Sequence, residues 1–186
     1  GSGSVVGYRI QNLTIGGSVI AGMDNTTGTF EKNGAIIVNN DIASATIKGS
    51  LRGNSTHNVT ISAYGAFNPT ATSDIAIGSL KVNGRVEYTQ ILAGINDEGD
   101  RNADAQIGSI TVDGDWYASS VSAGVSPGAD GRFGTIDDVR YAGASVKDVA
   151  TVSSKIGNLT IRGRAFGTTP IGDNFGVVAE NFGIIN

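Results

Sequence analysis

The sequence predicts an all-β chain, a short right-handed parallel β-helix (β-solenoid) of about five turns. Three observations predict it: an eight-residue phrase that recurs five times, apolar–polar alternation inside that phrase, and no stretch of helical periodicity. Glycine supplies 28 of the 186 residues, about 15% and roughly twice ordinary usage, so corners are abundant. Right-handedness follows from the general preference of parallel crossovers.

Taken in order, residues 1–9 form an N-terminal segment or a cloning remnant, and residues 10–186 form a single domain. The phrase occurs as Ile10-Gln-Asn-Leu-Thr-Ile-Gly-Gly17, Ile42-Ala-Ser-Ala-Thr-Ile-Lys-Gly49, Ile77-Gly-Ser-Leu-Lys-Val-Asn-Gly84, Ile107-Gly-Ser-Ile-Thr-Val-Asp-Gly114 and Ile156-Gly-Asn-Leu-Thr-Ile-Arg-Gly163. Its starts are separated by 32, 35, 30 and 49 residues, a period near 30 with insertions. Alternation turns one set of side chains inward. Stacked copies then give the columns Leu13, Ala45, Leu80, Ile110, Leu159 and Ile15, Ile47, Val82, Val112, Ile161. The leading isoleucines are expected one corner earlier. Each phrase ends in a glycine, as a tight corner requires.

A second strand is expected after each phrase. Ile91-Leu-Ala93-Gly94 and Val121-Ser-Ala123-Gly124 share one offset, while Ser62-Ala63-Tyr64 and Val177-Val178-Ala179 come later. Ile20-Ala21-Gly22-Met23 is expected to serve the first turn. Copies about thirty residues apart pair most naturally with one another, in parallel.

Composition narrows the function. The net charge is −4, from 13 basic and 17 acidic residues, and there is no basic stripe, which argues against nucleic acid. No apolar run is long enough for membrane insertion. Cysteine is absent, so neither disulfides nor thiolate metal sites exist.

Two acidic insertions, 96–104 and 126–147, leave the same Ala-Gly corner in consecutive turns and should lie side by side. Asp97, Asp100, Asn102 and Asp104 of the first, and Asp130, Asp137 and Asp138 of the second, supply oxygens of the kind calcium takes. Asp100-x-Asn102-x-Asp104 has alternating ligand spacing but lacks the glycine and distal glutamate of a full twelve-residue calcium loop. Two readings stand: a calcium site, or a solvated acidic loop. No catalytic residue and no cofactor other than calcium is assigned. Asp113, Asp115, Arg85 and Arg164 lie at corners, where a carboxylate–arginine groove is conceivable but turn geometry accounts for them. Alternation sends one of Trp116 and Tyr117 inward and the other outward, near Tyr88 of the previous turn.

The phrases, the following x-Ala-Gly-Val step and the segment Ser126-Pro-Gly-Ala-Asp-Gly-Arg-Phe-Gly-Thr-Ile-Asp-Asp138 resemble β-solenoid repeat modules of very large secreted or cell-surface bacterial proteins. The likeness runs from Ile10 to the end. It implies a non-catalytic structural or adhesive module, extracellular or at the cell surface, with calcium as a stabilising ion. The rival class is a carbohydrate-binding or polysaccharide-cleaving β-helix. The terminal segments Val5-Val6-Gly7-Tyr8 and Phe175–Asn186 are apolar and strand-like, with no polar cap. The expected partners are therefore another copy stacked end to end, or neighbouring repeats of a longer chain, with glycans as a further ligand class.

Overall fold

A computed structural model describes residues 3–22, 32–169 and 173–186. Among them there is no helix, and the strands build three parallel sheets. The chain enters the sheets in a fixed rotation. Ser4–Gly7 (β1), Ile10–Ile15 (β2) and Val19–Ile20 (β3) begin the three sheets. Ala35–Val38 (β4), Ile42–Ile47 (β5) and Leu51–Arg52 (β6) pair with them in the same order. The next circuit is Val59–Ala63 (β7), Ile75–Val82 (β8) and Val86–Glu87 (β9), followed by Thr89–Ala93 (β10), Gln106–Val112 (β11) and Trp116–Tyr117 (β12). Ser120–Ala123 (β13) then leads into an antiparallel excursion, Val125–Ser126 (β14) with Val139–Arg140 (β15). The rotation resumes with Lys155–Ile161 (β16) and Ala165–Phe166 (β17), and closes with Val177–Val178 (β18) and Asn181–Ile185 (β19).

The phrase strands β2, β5, β8, β11, β16 and β19 lie in one sheet. Ile10, Ile42, Ile77, Ile107 and Ile156 are in register, as are both expected columns. Ile47, Leu80, Ile110, Val112 and Leu159 are fully buried or nearly so and belong to one apolar cluster. Burial of these columns is the main force holding the sheets together.

The leading isoleucines sit on the same strands as the other columns, a correction to the corner expected for them. The cause is the residue that follows, glycine in the later phrases and Gln11 or Ala43 in the first two, which is skipped in the pairing. Gly78 and Gly108 have no Cα partner although their neighbours pair, so the alternation slips and residues three apart, such as Ile107 and Ile110, both face inward. A Cβ on Gly108 would run into the carbonyl oxygen of Gly78, and one on Gly157 into that of Gly108. The Ile-Gly of the third, fourth and fifth phrases is thus a close backbone approach, copied at Gly78, Gly108 and Gly157.

Two further differences concern the strands between phrases. Val19–Ile20 pairs with Leu51–Arg52 in the third sheet, so it is not the first circuit's version of the Ala-Gly strand. That role falls to Ala35–Val38, whose Val38 lies beside Ala63; Met23 lies outside the described residues. In the later circuits Ile91, Val121 and Val177 stand in register as expected. A sixth, incomplete phrase also emerges: Phe182 pairs with Ile156 and Ile185 with Leu159.

Candidate functional site

The third sheet carries an outward aromatic row. Trp116 faces the core, 5% exposed, and its indole Nε1 donates to the Ser119 carbonyl at 2.9 Å. Tyr117, the next residue, faces out, as the alternation requires. Its ring lies 5.3 Å from Tyr88 and 4.9 Å from Phe166, edge-on to the first and tilted to the second. Arg164 sits over Phe166 at 5.5 Å. Tyr88 holds a left-handed backbone, φ 44°, and Ala118 repeats it at φ 45° one circuit later. Left-handed φ is costly for such residues, so the corner is a strained one. The Tyr88 hydroxyl, 3.4 Å from that of Tyr117, is pushed up to about 12 by this hydrogen bond and by partial burial.

Tyr88 also borders a cavity of about 200 Å³ shared with Asn58, Gln90, Arg132, Phe133 and Asp173. Asp173 accepts from Thr168 Oγ1 at 2.7 Å and pairs with Arg132 at 3.3 Å, which hold its carboxyl below the usual carboxylate range. Small-molecule sites start near roughly 300 Å³, so this hollow suits part of an extended ligand better than an enclosed substrate.

The two acidic insertions do pack side by side, joined by a parallel bridge between Asn102 and Lys147. Their expected calcium ligands separate into three groups. Asp97 and Asp100 lie in the turn at the outer end of the first insertion. Asp97 pairs with Lys32 at 2.5 Å, and Asp100 accepts from Asn96 Nδ2 at 2.9 Å. Asp130, Asp137 and Asp138 organise the second loop from within. Asp137 accepts from Ala129 N, Asp130 N and Thr135 Oγ1, and the Thr135 bond leads in holding its carboxyl below the usual range. Asp138 Oδ2 accepts from Gly134 N and Thr135 N, while its Oδ1 is buried with no partner among the described residues. Asp130 accepts from Arg132 N at 2.8 Å. Among the described residues, no three His, Asp or Glu side chains converge as metal ligands.

The remaining two, Asn102 and Asp104, are fully buried and belong to an interior polar cluster. Asn102 Nδ2 donates to the Tyr64 carbonyl at 2.9 Å and to Asp74 Oδ2 at 2.8 Å; its Oδ1 accepts from Asp104 N at 3.0 Å. Asp74, 1% exposed, also accepts from Ala66 N on Oδ1 and from the Lys147 ammonium on Oδ2, the oxygen that Asn102 uses. Asp104 accepts from Val149 N at 2.8 Å and pairs with Arg140 at 3.2 Å. Burial nevertheless leads in pushing its carboxyl up. Arg140 bridges onward to Asp148 and Glu180. Gly65 makes room for this cluster, since a Cβ there would strike Asn102 Nδ2 and Asp74 Oδ1. Sequence reading missed Asp74, Arg140 and Lys147. The one signal was charge balance: the insertion 126–147 sets Arg132, Arg140 and Lys147 against Asp130, Asp137 and Asp138.

At the corners, Asp113 pairs with Arg162 at 2.8 Å and Asp115 with Arg164 at 3.2 Å, each linking successive circuits at exposed positions. Such pairs contribute little to stability. Compared with family models, with curated proteins and with solved structures, the chain matches none of them.

Proposed function

We infer that the three parallel sheets are the walls of one right-handed parallel β-helix of about five turns. On this reading the chain is a non-catalytic structural or adhesive module of an extracellular bacterial surface protein or fibre. The supporting observation is the register: the same phrase pairs with its own copy at every step from Ile10 to Ile156. A wall of this kind has open strand edges on its first and last circuits. Val6, Tyr8 and Ile20 are exposed on one, and Phe182, Ile184 and Ile185 on the other. Open, apolar edges invite strand pairing, and head-to-tail contact propagates into a fibre. Light scattering over a range of concentrations tests this. The apparent mass should rise with concentration and fall back to one chain in Ile184→Lys. A monodisperse monomer at high concentration refutes self-assembly and leaves pairing with further repeats of a longer chain.

The second reading, carbohydrate binding, is favoured by the aromatic row Tyr88–Tyr117–Phe166 beside a polar hollow. Aromatic faces carry sugar rings, and the row runs along the stacking direction. Glycan-array binding that is lost in Tyr117→Ala would establish it; an array without hits would remove it. Trp116 is not the residue to change, because it is core.

A further inference from the structure

We propose that Lys147 and Asn102 are joined by a side-chain amide bond that the folded chain makes by itself, with Asp74 as the acid–base group. Four independent features of the cluster point to this chemistry. Lys147 and Asn102 are opposite partners in a parallel bridge, so their backbones are held side by side. The lysine nitrogen and the asparagine amide nitrogen both stand on one oxygen, Asp74 Oδ2. Asn102 Oδ1, where negative charge would develop, already accepts from the backbone N–H of Asp104. Asp74 and Asn102 are buried, whereas the Lys147 side chain keeps 28% exposure, which leaves a route out for a small product.

The step balances with no added reagent. The Lys147 ammonium passes a proton to Asp74, which frees the lone pair on Nζ. That pair forms the bond to Asn102 Cγ, and the carbonyl electrons move onto Oδ1 opposite the Asp104 N–H. When they return, the Cγ–Nδ2 bond breaks. Asp74 protonates the departing nitrogen and takes the surplus proton from Nζ. The products are a secondary amide and ammonia, which takes the last proton from Asp74 and leaves as ammonium. A single carboxylate touching both the attacking and the leaving nitrogen is the arrangement general acid–base catalysis needs. Holding both nitrogens on one carboxylate oxygen replaces an encounter in solution. The bond ties the insertion 126–147 to the first insertion in a chain that has no cysteine to do so. This inference does not depend on the fibre or glycan readings.

The test is the mass of the purified, denatured wild-type protein together with its tryptic map. The expected result is a deficit of one ammonia and a branched peptide joining residues 102–132 to 141–155, with no cleavage after Lys147. Lys147→Arg should show the unreduced mass of its own sequence and the separate peptides 102–132, 141–147 and 148–155. A wild type with the full mass, cleavage after Lys147 and residues 102–132 recovered unbranched overturns the proposal and leaves an ion pair. A deficit of one water, with the branch on residue 74, overturns the assignment to Asn102. An ammonia deficit without a branched peptide also overturns it. None of these outcomes requires a variant to fold.

Discussion

Replacing Ile110 with alanine tests the column that organises the whole chain. Ile110 is 0% exposed and lies between Leu80 and Leu159, its in-register partners on either side. The change removes three carbons from a site walled by backbone above and below, so the strands cannot close the gap without losing their ladders. Isoleucine-to-alanine changes at such sites cost about 2–5 kcal/mol, and a poorly collapsible site belongs in the middle of that range, at about 3 kcal/mol. For a chain of this length, each kcal/mol moves the melting temperature by about 2–4 °C, so the expected drop is about 6–12 °C. The neighbouring Thr111→Ala is the internal control, because Thr111 points the other way and should change stability by no more than about 0.5 kcal/mol. Leu13→Ala, on the partly covered first circuit, should fall between the two. Urea melts followed by circular dichroism would measure all three. If Thr111→Ala cost as much as Ile110→Ala, the assignment of inward and outward faces would be refuted.

Gly108→Ala should cost about 1–3 kcal/mol although it adds only a methyl group, because that methyl meets the Gly78 carbonyl rather than a yielding side chain; a neutral result would sink the close-approach argument. Tyr88 has a raised folded-state value, about 12, so the stability it contributes is complete below the ordinary tyrosine range and lost as pH rises through 12. Tyr64 and Tyr141 are raised as well, by burial, so tyrosinate absorbance should show a late-titrating fraction of which only the Tyr88 part moves down in Tyr117→Phe. Asp137 is depressed by the Thr135 hydroxyl and loop N–H groups, so its contribution is full above about pH 4 and disappears as pH falls through its lower folded value. Asp137→Asn should flatten the acid limb of a stability–pH curve, and an unchanged limb would contradict the assignment. The calcium reading of the sequence requires that melts with and without chelator differ, and by less in Asp137→Asn. Saturation at a hundred times the dissociation constant is worth about 2.7 kcal/mol, and coincident melts would leave the loop 126–138 solvated and ion-free.

The phrase strands were legible because each is a full copy of one geometry: inward Ile110 and Val112, outward Thr111, and the glycine at 108 that lets the backbones touch. The third sheet was not, because two-residue strands such as Leu51–Arg52 and Val86–Glu87 are too short to carry a period. The sixth phrase was hidden by phenylalanine in place of the leading isoleucine, although Phe182-Gly183 keeps the glycine. In the first insertion the alternating spacing grouped Asp100 with Asn102 and Asp104, but Asn102 and Asp104 lie in the interior together with Ala103 between them, while Asp100 stays exposed. Buried charge is rare enough that a short acidic motif is ordinarily placed in solvent. What reverses that here is Asp74, Lys147 and Arg140, drawn from segments far apart in sequence, and no local pattern announces such a meeting.

The corner glycines explain how a regular wall can carry irregular chemistry without losing its register. Gly94, at φ +104°, and Gly124, at φ +66°, open the same corner in consecutive circuits. A Cβ on Gly94 would strike the Asn102 carbonyl, and one on Gly124 would strike that of Ala103. The first insertion therefore packs against both corners, and each insertion bonds back to the corner it left, with Gly94 O accepting from Asn102 N at 2.9 Å and Gly124 O from Tyr141 N at 3.0 Å. An insertion anchored this way returns the chain to the wall in phase, so Ile107 still meets Ile77 and Ile156 still meets Ile107 despite the extra residues. The same fold-back carries Asn102 and Lys147 inward to Asp74, which stands just before the next phrase strand. Loops held only at their ends could not place three groups on one carboxylate oxygen and its neighbours. The left-handed glycines that look like spacing punctuation in the sequence are what make the interior cluster possible.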